Sequence, residues 1–486
     1  MSVTSPIEGL QRKVVSGLAW SVVRNWGNRL ITFALFVLLA RLLEPAQMGL
    51  FAAAVAVLAI VDILIEQGFG DAIVQRRTLT RAEVNAAFYV TIVLAALAYA
   101  ALFAAAPLIE RQMQTEGLAT ILRWAGVAML VNAFGSCQHA MLRREFEYRW
   151  IALRVLVATA IAGAVAAACA LMGLGVWSLV VQYLVFSALN VGLMWLRPGW
   201  VPGREVDRTG LRELLRYGSS VLGTRLLEYG NVRFIEVFLA ATLGPVALGI
   251  YMVGARIHQT LMLLLISSFM DVSLSAFARL ADRMDEFRRV YYRAIEAVGA
   301  LVMPCFVVAA LLAPELIVIA FGAKWGESAF VLRVLGAVGA LQVVQYLNQA
   351  AISARGRPDL AFWLNGLKAA MAVVALLLSH GQDLSHVVIA FAAGQVLATV
   401  VTLYLGGRVL EAPLMEVVRR LAPCATACLA MVAAVSGLRL VPDVALLPLP
   451  LRGALLLTAA VIAYLGSWRL LAPAQMRGVL AMARQR

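Results

Sequence analysis

Four charged residues lie inside one long apolar stretch, residues 214–240, and their side chains could bind a charged ligand within a membrane. They are Arg225, Glu228, Arg233 and Glu236. At helical spacing Arg225, Arg233 and Glu236 share one face, with Glu228 beside it. Because each charge at the centre of a membrane helix costs roughly 2.5–3.5 kcal/mol, this face must contact other helices or water.

Two interpretations of this stretch are open. In the first, Arg225–Glu228 and Arg233–Glu236 are pairs three residues apart that only neutralise each other. In the second, the four charges line a substrate pathway. The rest of the sequence is needed to distinguish these two interpretations.

The composition is that of a chain with most of its length in a membrane. Of its 486 residues 62% are hydrophobic and only 14% are charged, and its mean hydropathy is +0.86. These values predict a polytopic membrane protein. The net charge of +14 comes from short basic clusters between apolar spans, where it sets topology. We therefore expect membrane lipids and no nucleic acid among its partners.

The distribution of basic residues predicts the orientation of the chain. The apolar segments predict about fourteen transmembrane helices. Segments between them hold 28 basic residues on one side, including the cluster Arg143, Arg144, Arg149 and Arg154, and 5 on the other. Because cytoplasmic loops carry the excess of Lys and Arg, both termini are predicted to be cytoplasmic.

An internal repeat relates the two halves of the sequence. Pro45 and Gly49 match Pro245 and Gly249 at a spacing of 200 residues. Further matches, at a spacing of 210, are 121–126 with 331–336 and 138–140 with 348–350. The repeat unit holds six helices, so both copies have the same orientation, as in transporters with parallel repeats.

The predicted fold is therefore an all-α polytopic membrane protein with two six-helix lobes and two additional C-terminal helices. The predicted lobes are residues 1–200 and 201–410, and the two additional helices, the thirteenth and fourteenth, lie in residues 411–486.

Basic residues exceed acidic ones inside the predicted spans. The basic ones are Arg24, Arg29, Arg123, Arg225, Arg233, Arg256, Arg333 and Lys368. Because arginine recognises phosphate with several fixed donors, we predict that they line a cationic cavity for a substrate with anionic groups. The candidates for a gate or for ion coupling are Asp62, Glu66, Glu228 and Glu236.

Uncharged polar residues add donors and acceptors to the predicted spans. Gln342, Gln345 and Gln349 share one face of the tenth predicted helix. They fit either hydrogen bonding between helices or contacts with the hydroxyl groups of a sugar, and both interpretations stay open. His139 lies near a cytoplasmic helix end, which favours a packing or interfacial residue over a proton relay.

The sequence predicts neither a cofactor nor a metal site, and the protein is not expected to be an enzyme. It contains no Walker-type phosphate loop and no metal-binding constellation. Its five cysteines all lie in apolar spans, which disfavours a disulfide framework. A membrane polymerase or ligase would be expected to show a large outer loop with catalytic residues, and none is predicted.

Four segments carry a resemblance to a known family. They are VVSGLAWSVVRNWGNRLITFALFVLLARLLEPAQMGLFAAA (14–54), EQGFGDAIVQRR (66–77), ATLGPVALGIYMVGARIHQT (241–260) and APELIVIAFGAKWGESAFVLRVLG (313–336). Over roughly residues 14–410 the chain resembles the bacterial polysaccharide-exporter family, which includes the Wzx-type flippases. That family belongs to the multidrug/oligosaccharidyl-lipid/polysaccharide exporter superfamily.

The resemblance implies a two-lobe bundle that alternates between inward-open and outward-open states. Such a protein would carry an undecaprenyl-diphosphate-linked oligosaccharide (an exopolysaccharide, capsule or O-antigen repeat unit) from the cytoplasmic to the periplasmic leaflet of the bacterial inner membrane. Related flippases hold the diphosphate on cavity arginines, and the corresponding candidates here are Arg24, Arg29, Arg225 and Arg256. A polysaccharide polymerase and chain-length machinery are partners that the resemblance suggests.

Other functions remain open at this point. A drug or cation antiporter of the same superfamily would need an excess of intramembrane carboxylates, and this chain has the reverse. A polymerase, a ligase or a non-transporting scaffold of polysaccharide assembly are the further alternatives. The two additional C-terminal helices either form a groove for a lipid tail or only pack against the second lobe.

Overall fold

A computed structural model describes residues 27–66, 69–76, 79–205, 208–473 and 475–478. Of residues 64, 66, 69, 75, 208–232, 266–272 and 275, it describes the backbone only. The described residues form two compact units, one ending at Gly249 and the other beginning at Ile250. The predicted domain boundaries after residues 200 and 410 remain predictions.

The described residues form helices and no β-strand. The first nine helices are α1 (27–42), α2 (Pro45–Glu66), α3 (Phe69–Gln75), α4 (Arg81–Met113), α5 (Leu118–Ala125), α6 (Val127–Arg144), α7 (Tyr148–Leu171), α8 (Trp177–Trp195) and α9 (Arg208–Arg279). The others are α10 (Met284–Leu301), α11 (Met303–Leu311), α12 (Ala313–Phe321), α13 (Ser328–Ala354), α14 (Pro358–Leu378), α15 (Leu384–Val409), α16 (Leu414–Arg439), α17 (Pro442–Leu446) and α18 (Leu449–Leu471).

Twelve helical segments of the described chain are long and apolar enough to cross a membrane. The predicted all-α polytopic membrane fold is thereby confirmed. Some predicted spans lie partly outside the description, the first and the seventh most of all. The first (14–40) starts before the described residues, and the side chains of the seventh (217–240) are described only from Arg233 onward.

A glycine and a proline divide the long helix α9. Gly244 has φ 77° and ψ −176°, a conformation open to a residue without Cβ. Pro245 follows it and cannot donate to the preceding turn, so a new helical segment starts there. Pro45 starts α2 in the same way, as the repeat predicts.

The matched glycines of the repeat lie against each other. A Cβ atom on Gly49 would lie 1.7 Å from the carbonyl oxygen of Pro245, and one on Gly249 would lie 2.2 Å from that of Pro45. The backbones can approach this closely only because neither glycine carries a side chain. The contact is reciprocal, as two copies of one motif would make it.

Each unit uses the same helix pairings. In the first unit α7 packs on α8, α8 on α6, and α6 on α4. In the second unit α14 packs on α15, α15 on α13, and α13 on α11. The helices of these pairings occur in the same order along the chain, which agrees with the six-helix repeat.

The C-terminal helices α16 and α18 pack on each other and on α10, α11 and α12 of the second unit. The hydroxyl of Tyr464 donates to the carbonyl of Ala300 at 2.7 Å. Glu315 of α12 is 1% exposed, accepts a hydrogen bond from Arg439 at 2.7 Å and forms an ion pair with Arg452 at 3.3 Å. An ion triad therefore ties this helical hairpin to the second unit.

Candidate functional site

A cavity of about 910 Å³ lies within the first unit, among α1, α2, α4, α6, α7, α8 and α9. This volume is at the upper end of the range of small-molecule sites, about 300–1,000 Å³. The described polar residues of its wall are Asn28, Arg29, Asp62, Thr91, Asn132, Ser136, His139, Arg154, Tyr183, Asn190 and Arg233.

Close packing of α1 on α7 positions Asn28 and Arg29. The hydroxyl of Thr159 donates to Oδ1 of Asn28 at 2.8 Å. One turn further along α7, a Cβ on Gly163 would lie 2.2 Å from Leu35, so α1 sits directly on the α7 backbone. The contact fixes the rotation of α1 that brings Asn28 and Arg29 to the cavity wall.

Arg154 of α7 is the most enclosed cation of the wall, with 2% of its surface exposed. Its Nη1 donates to both the carbonyl oxygen and Oδ1 of Asn190, each at 3.1 Å. Its Nη2 lies 2.8 Å from Nδ1 of His139. Because a guanidinium only donates, Nδ1 of His139 must be the acceptor and carries no proton in this arrangement.

Arg233 of α9 pairs with Glu236 and also lines the cavity. Its Nη1 donates to Oε2 of Glu236 at 2.6 Å, and Glu236 is 3% exposed. The predicted pairing three residues apart is therefore formed here, yet it leaves Arg233 in the wall. The side chains of Arg225 and Glu228 lie outside the described residues.

The described wall carries three arginines, Arg29, Arg154 and Arg233, against one carboxylate, Asp62. Amide and hydroxyl groups make up most of its other polar atoms. A cationic wall with neutral donors and acceptors suits an anionic ligand that also carries hydroxyl groups. Among the described residues, no three His, Cys, Asp or Glu side chains are grouped so that they could hold a metal ion.

The other predicted cations lie elsewhere or outside the description. Arg123 stacks over the ring of Phe103 with its Cζ 4.5 Å from the centroid, and Arg333 is exposed. In the second unit Arg256 is half-buried, and Lys368 is buried with Nζ 5.8 Å from the Tyr346 ring centroid. These four are not among the described residues of the cavity wall. Arg24 and the side chain of Glu66 lie outside the described residues.

The glutamines of α13 bond to neighbouring helices of the second unit. Gln342 donates to Gln395 at 3.1 Å, and Gln345 accepts from Thr399 at 3.0 Å. Gln349 donates to Asn365. Of the two interpretations left open by the sequence, hydrogen bonding between helices describes these contacts.

Sequence reasoning counted Arg154 in a cytoplasmic cluster and missed it as a cavity residue, whereas the structure places it in the cavity wall. Helix α7 begins at Tyr148, so Arg154 lies six residues in, about 9 Å along the axis. The apolar residues on both sides of Arg154 were the available signal. His139 was interpreted as a packing or interfacial residue, whereas its ring lines the cavity and contacts Arg154.

The sequence matches a family model described as "Polysaccharide biosynthesis protein" over residues 38–330, more than half of the chain. The chain belongs to this polysaccharide biosynthesis family. The resemblance to polysaccharide exporters is thereby confirmed. Relatives of this chain include the lipopolysaccharide biosynthesis protein WzxC of Escherichia coli K12, which is 23% identical over 76% of this chain and 75% of that protein. The succinoglycan biosynthesis transport protein ExoT of Rhizobium meliloti is 21% identical over 67% of this chain and 66% of that protein.

Two solved structures show that this chain has the fold of known transporters. The lipid II flippase MurJ, in an inward closed conformation, matches with a TM-score of 0.76 and 9% identity, over 93% of this chain and 98% of that chain. An inward-facing multidrug resistance MATE family transporter matches with a TM-score of 0.62 and 16% identity, over 79% of this chain and 95% of that chain. At these identities the likeness concerns the fold alone.

Proposed function

We propose that this protein is a flippase that moves an undecaprenyl-diphosphate-linked oligosaccharide from the cytoplasmic to the periplasmic leaflet of the bacterial inner membrane. The observation that carries the proposal is the cavity of the first unit, with three arginines and one described carboxylate in its wall. A diphosphate brings at least two negative charges, and arginine binds such groups with paired donors.

The neutral groups of the wall suit the sugar part of this substrate. Asn132, Ser136 and Asn190 offer donors and acceptors, and Tyr183 and Phe186 offer aromatic surface. Sites for polar ligands combine apolar walls with a few such groups. One cavity could therefore hold the diphosphate and the sugars next to it.

The names of relatives support the same substrate class. WzxC is named for lipopolysaccharide biosynthesis, TuaB of Bacillus subtilis for teichuronic acid biosynthesis, and ExoT for succinoglycan transport. The structural neighbour MurJ is named a lipid II flippase. Two of these names, those of ExoT and MurJ, state transport or flipping, which fits a transporter better than an enzyme.

The remaining assignments belong to this proposal. Alternating access would expose the cavity to each leaflet in turn, with both termini cytoplasmic. Asp62, in the cavity wall, and Glu236, paired with Arg233, are the described candidates for a gate or ion coupling. Arg24, Arg225 and Arg256 stay candidates for binding the diphosphate, and a polymerase with its chain-length machinery stays the proposed protein partner. A drug antiporter is disfavoured because a cationic wall repels cationic drugs.

The test is the leaflet in which the lipid-linked oligosaccharide accumulates when the gene is depleted. A membrane-impermeant sugar-binding probe on right-side-out and inverted vesicles reports this. We expect accumulation on the cytoplasmic face that is relieved by the wild-type gene and not by Arg154→Gln. Arg419→Gln is the control, since that side chain is 82% exposed on α16 and should restore export.

Accumulation on the periplasmic face would mean that translocation proceeds without this protein. Polymerisation, ligation or scaffolding would then explain the family membership. Full relief by Arg154→Gln would instead remove the cavity from the mechanism.

A further inference from the structure

The contact between His139 and Arg154 joins a group whose charge can change to a group whose charge cannot. Arginine stays protonated at all physiological pH values. Histidine ordinarily changes its charge between about pH 5 and 8. The 2.8 Å contact needs an unprotonated Nδ1 on His139, so it exists only while that nitrogen is an acceptor.

Protonation of His139 would change the cavity in two ways. It would turn the His139 acceptor of Arg154 into a second cation beside it. The guanidinium would then lose its contact with His139, while its two bonds to Asn190 would remain. It would also add a positive charge to a wall that already carries Arg29 and Arg233. Both changes favour an anion in the cavity, because the anion can then accept from Arg154 and separate the two cations.

We infer that His139 is a proton-controlled positioning residue for Arg154, through which acidification strengthens anion binding in the cavity of the first unit. The inference rests on the proposed function in so far as the anion is the diphosphate of the transported lipid. By linkage, if the anion binds the protonated protein more tightly, the protein must take up protons when the anion binds.

Other ionisable groups around α6 have different roles. Asp62 of α2 shares the cavity wall and is its described carboxylate. Tyr183 of α8 also lines the wall but ordinarily titrates near pH 10. On the remaining neighbours, Asp71 of α3 is paired with Arg143 at 3.0 Å and Glu83 of α4 with Arg76 at 2.8 Å. Arg123 of α5 lies over Phe103.

The test measures the affinity of the full-length protein in lipid nanodiscs for uridine diphosphate glucose between pH 7.5 and 5.5. Both phosphate groups of this probe are esterified and keep a constant charge over the range, so any pH dependence belongs to the protein. We expect the wild-type affinity to rise about fivefold or more on acidification. His139→Gln should show a flat profile, because glutamine retains an acceptor without a titrating nitrogen.

Three variants separate His139 from the other groups. Asp62→Asn should keep the pH dependence, Arg154→Gln should weaken binding at every pH, and the exposed His386→Gln should behave as wild type. Proton uptake on adding the probe in weak buffer near pH 6.5 should occur in the wild type and not in His139→Gln. If the role of His139 were merely structural, the His139→Gln variant would take up as many protons as the wild type.

The outcomes distinguish this coupling from the transport function. A pH-independent wild-type affinity, or a full pH dependence in His139→Gln, overturns the coupling even if vesicles show flipping. A His139-dependent profile without flipping refutes the transport function and leaves the coupling standing. If Arg154→Gln does not fold, the His139→Gln profile alone decides.

Discussion

The two units carry matched polar residues at the same position of the repeat but use them differently. In the first unit His139 faces the cavity and contacts Arg154. Its counterpart Gln349 in the second unit donates to Asn365. The neighbouring Asn348 is buried, donating to the carbonyl of Thr402 at 3.1 Å and accepting from Tyr291 at 3.1 Å.

This difference indicates a division of labour between the two copies of the repeat. In the second unit polar side chains join helices to one another, so they stabilise the unit. In the first unit the bonds of Arg154 also join helices, but they lie in the wall of a cavity that a ligand can enter. Substitutions should therefore affect stability in the second unit and affinity in the first.

The largest expected effect is on the stability of the second unit. Glu315→Ala leaves Arg439 and Arg452 without their shared carboxylate, and breaking a buried ion pair from one side costs about 3–5 kcal/mol. Thermal unfolding of the purified protein in detergent should show this loss. Asp285→Ala is the control, since the Asp285 side chain is 78% exposed and its pair with Arg288 is worth at most about 1 kcal/mol. Equal stability of the two variants would contradict the ion triad.

A smaller loss of stability is expected from Asn348→Ala. The change removes the acceptor of the buried Tyr291 hydroxyl, which costs about 1–3 kcal/mol. The affinity for uridine diphosphate glucose should stay within twofold of wild type. A large loss of affinity without a loss of stability would show that the second unit contacts the ligand directly, which would end the proposed division.

The smallest effect is expected from an Asn→Ala substitution in the first unit, Asn190→Ala. The Oδ1 acceptor of Arg154 is lost while the backbone acceptor remains, so the guanidinium is less well held. We expect about a fivefold loss of affinity, equivalent to the roughly 1 kcal/mol of one hydrogen bond. Unfolding temperature should change little. Unchanged affinity would mean that Asn190 does not position Arg154 for the ligand.

Much of the fold could be predicted because its signals are local. Apolar runs define the spans, and the Pro45–Gly49 and Pro245–Gly249 motifs reveal the repeat that the structure brings into reciprocal contact. Which side of a helix faces a cavity depends instead on how helices pack. Arg123 had the same sequence signal as Arg29, yet it stacks on Phe103 while Arg29 lines the wall.

The candidate site could be predicted only in part, because local signals identify polar residues in spans but not the direction in which they face. Arg29, Asp62 and Arg233 were predicted as polar residues of spans, and the structure places them in one wall. Arg154 was missed because an arginine six residues into a helix has the same spacing whether it reaches the lipid headgroups or turns inward. The contact with Asn190, 36 residues away, determines its direction, and no local pattern encodes it.

The ion triad of Glu315 has a consequence for the order in which the protein is made. Arg439 follows Glu315 by 124 residues, so at about 5–20 residues per second the ribosome needs roughly 6–25 s to supply it. Throughout that interval the carboxylate belongs to an otherwise apolar nine-residue segment, and neither arginine has been made. A chain cut short before Arg439 contains neither of the two arginines that pair with Glu315. The last-made hairpin thus completes a part of the protein that was made much earlier.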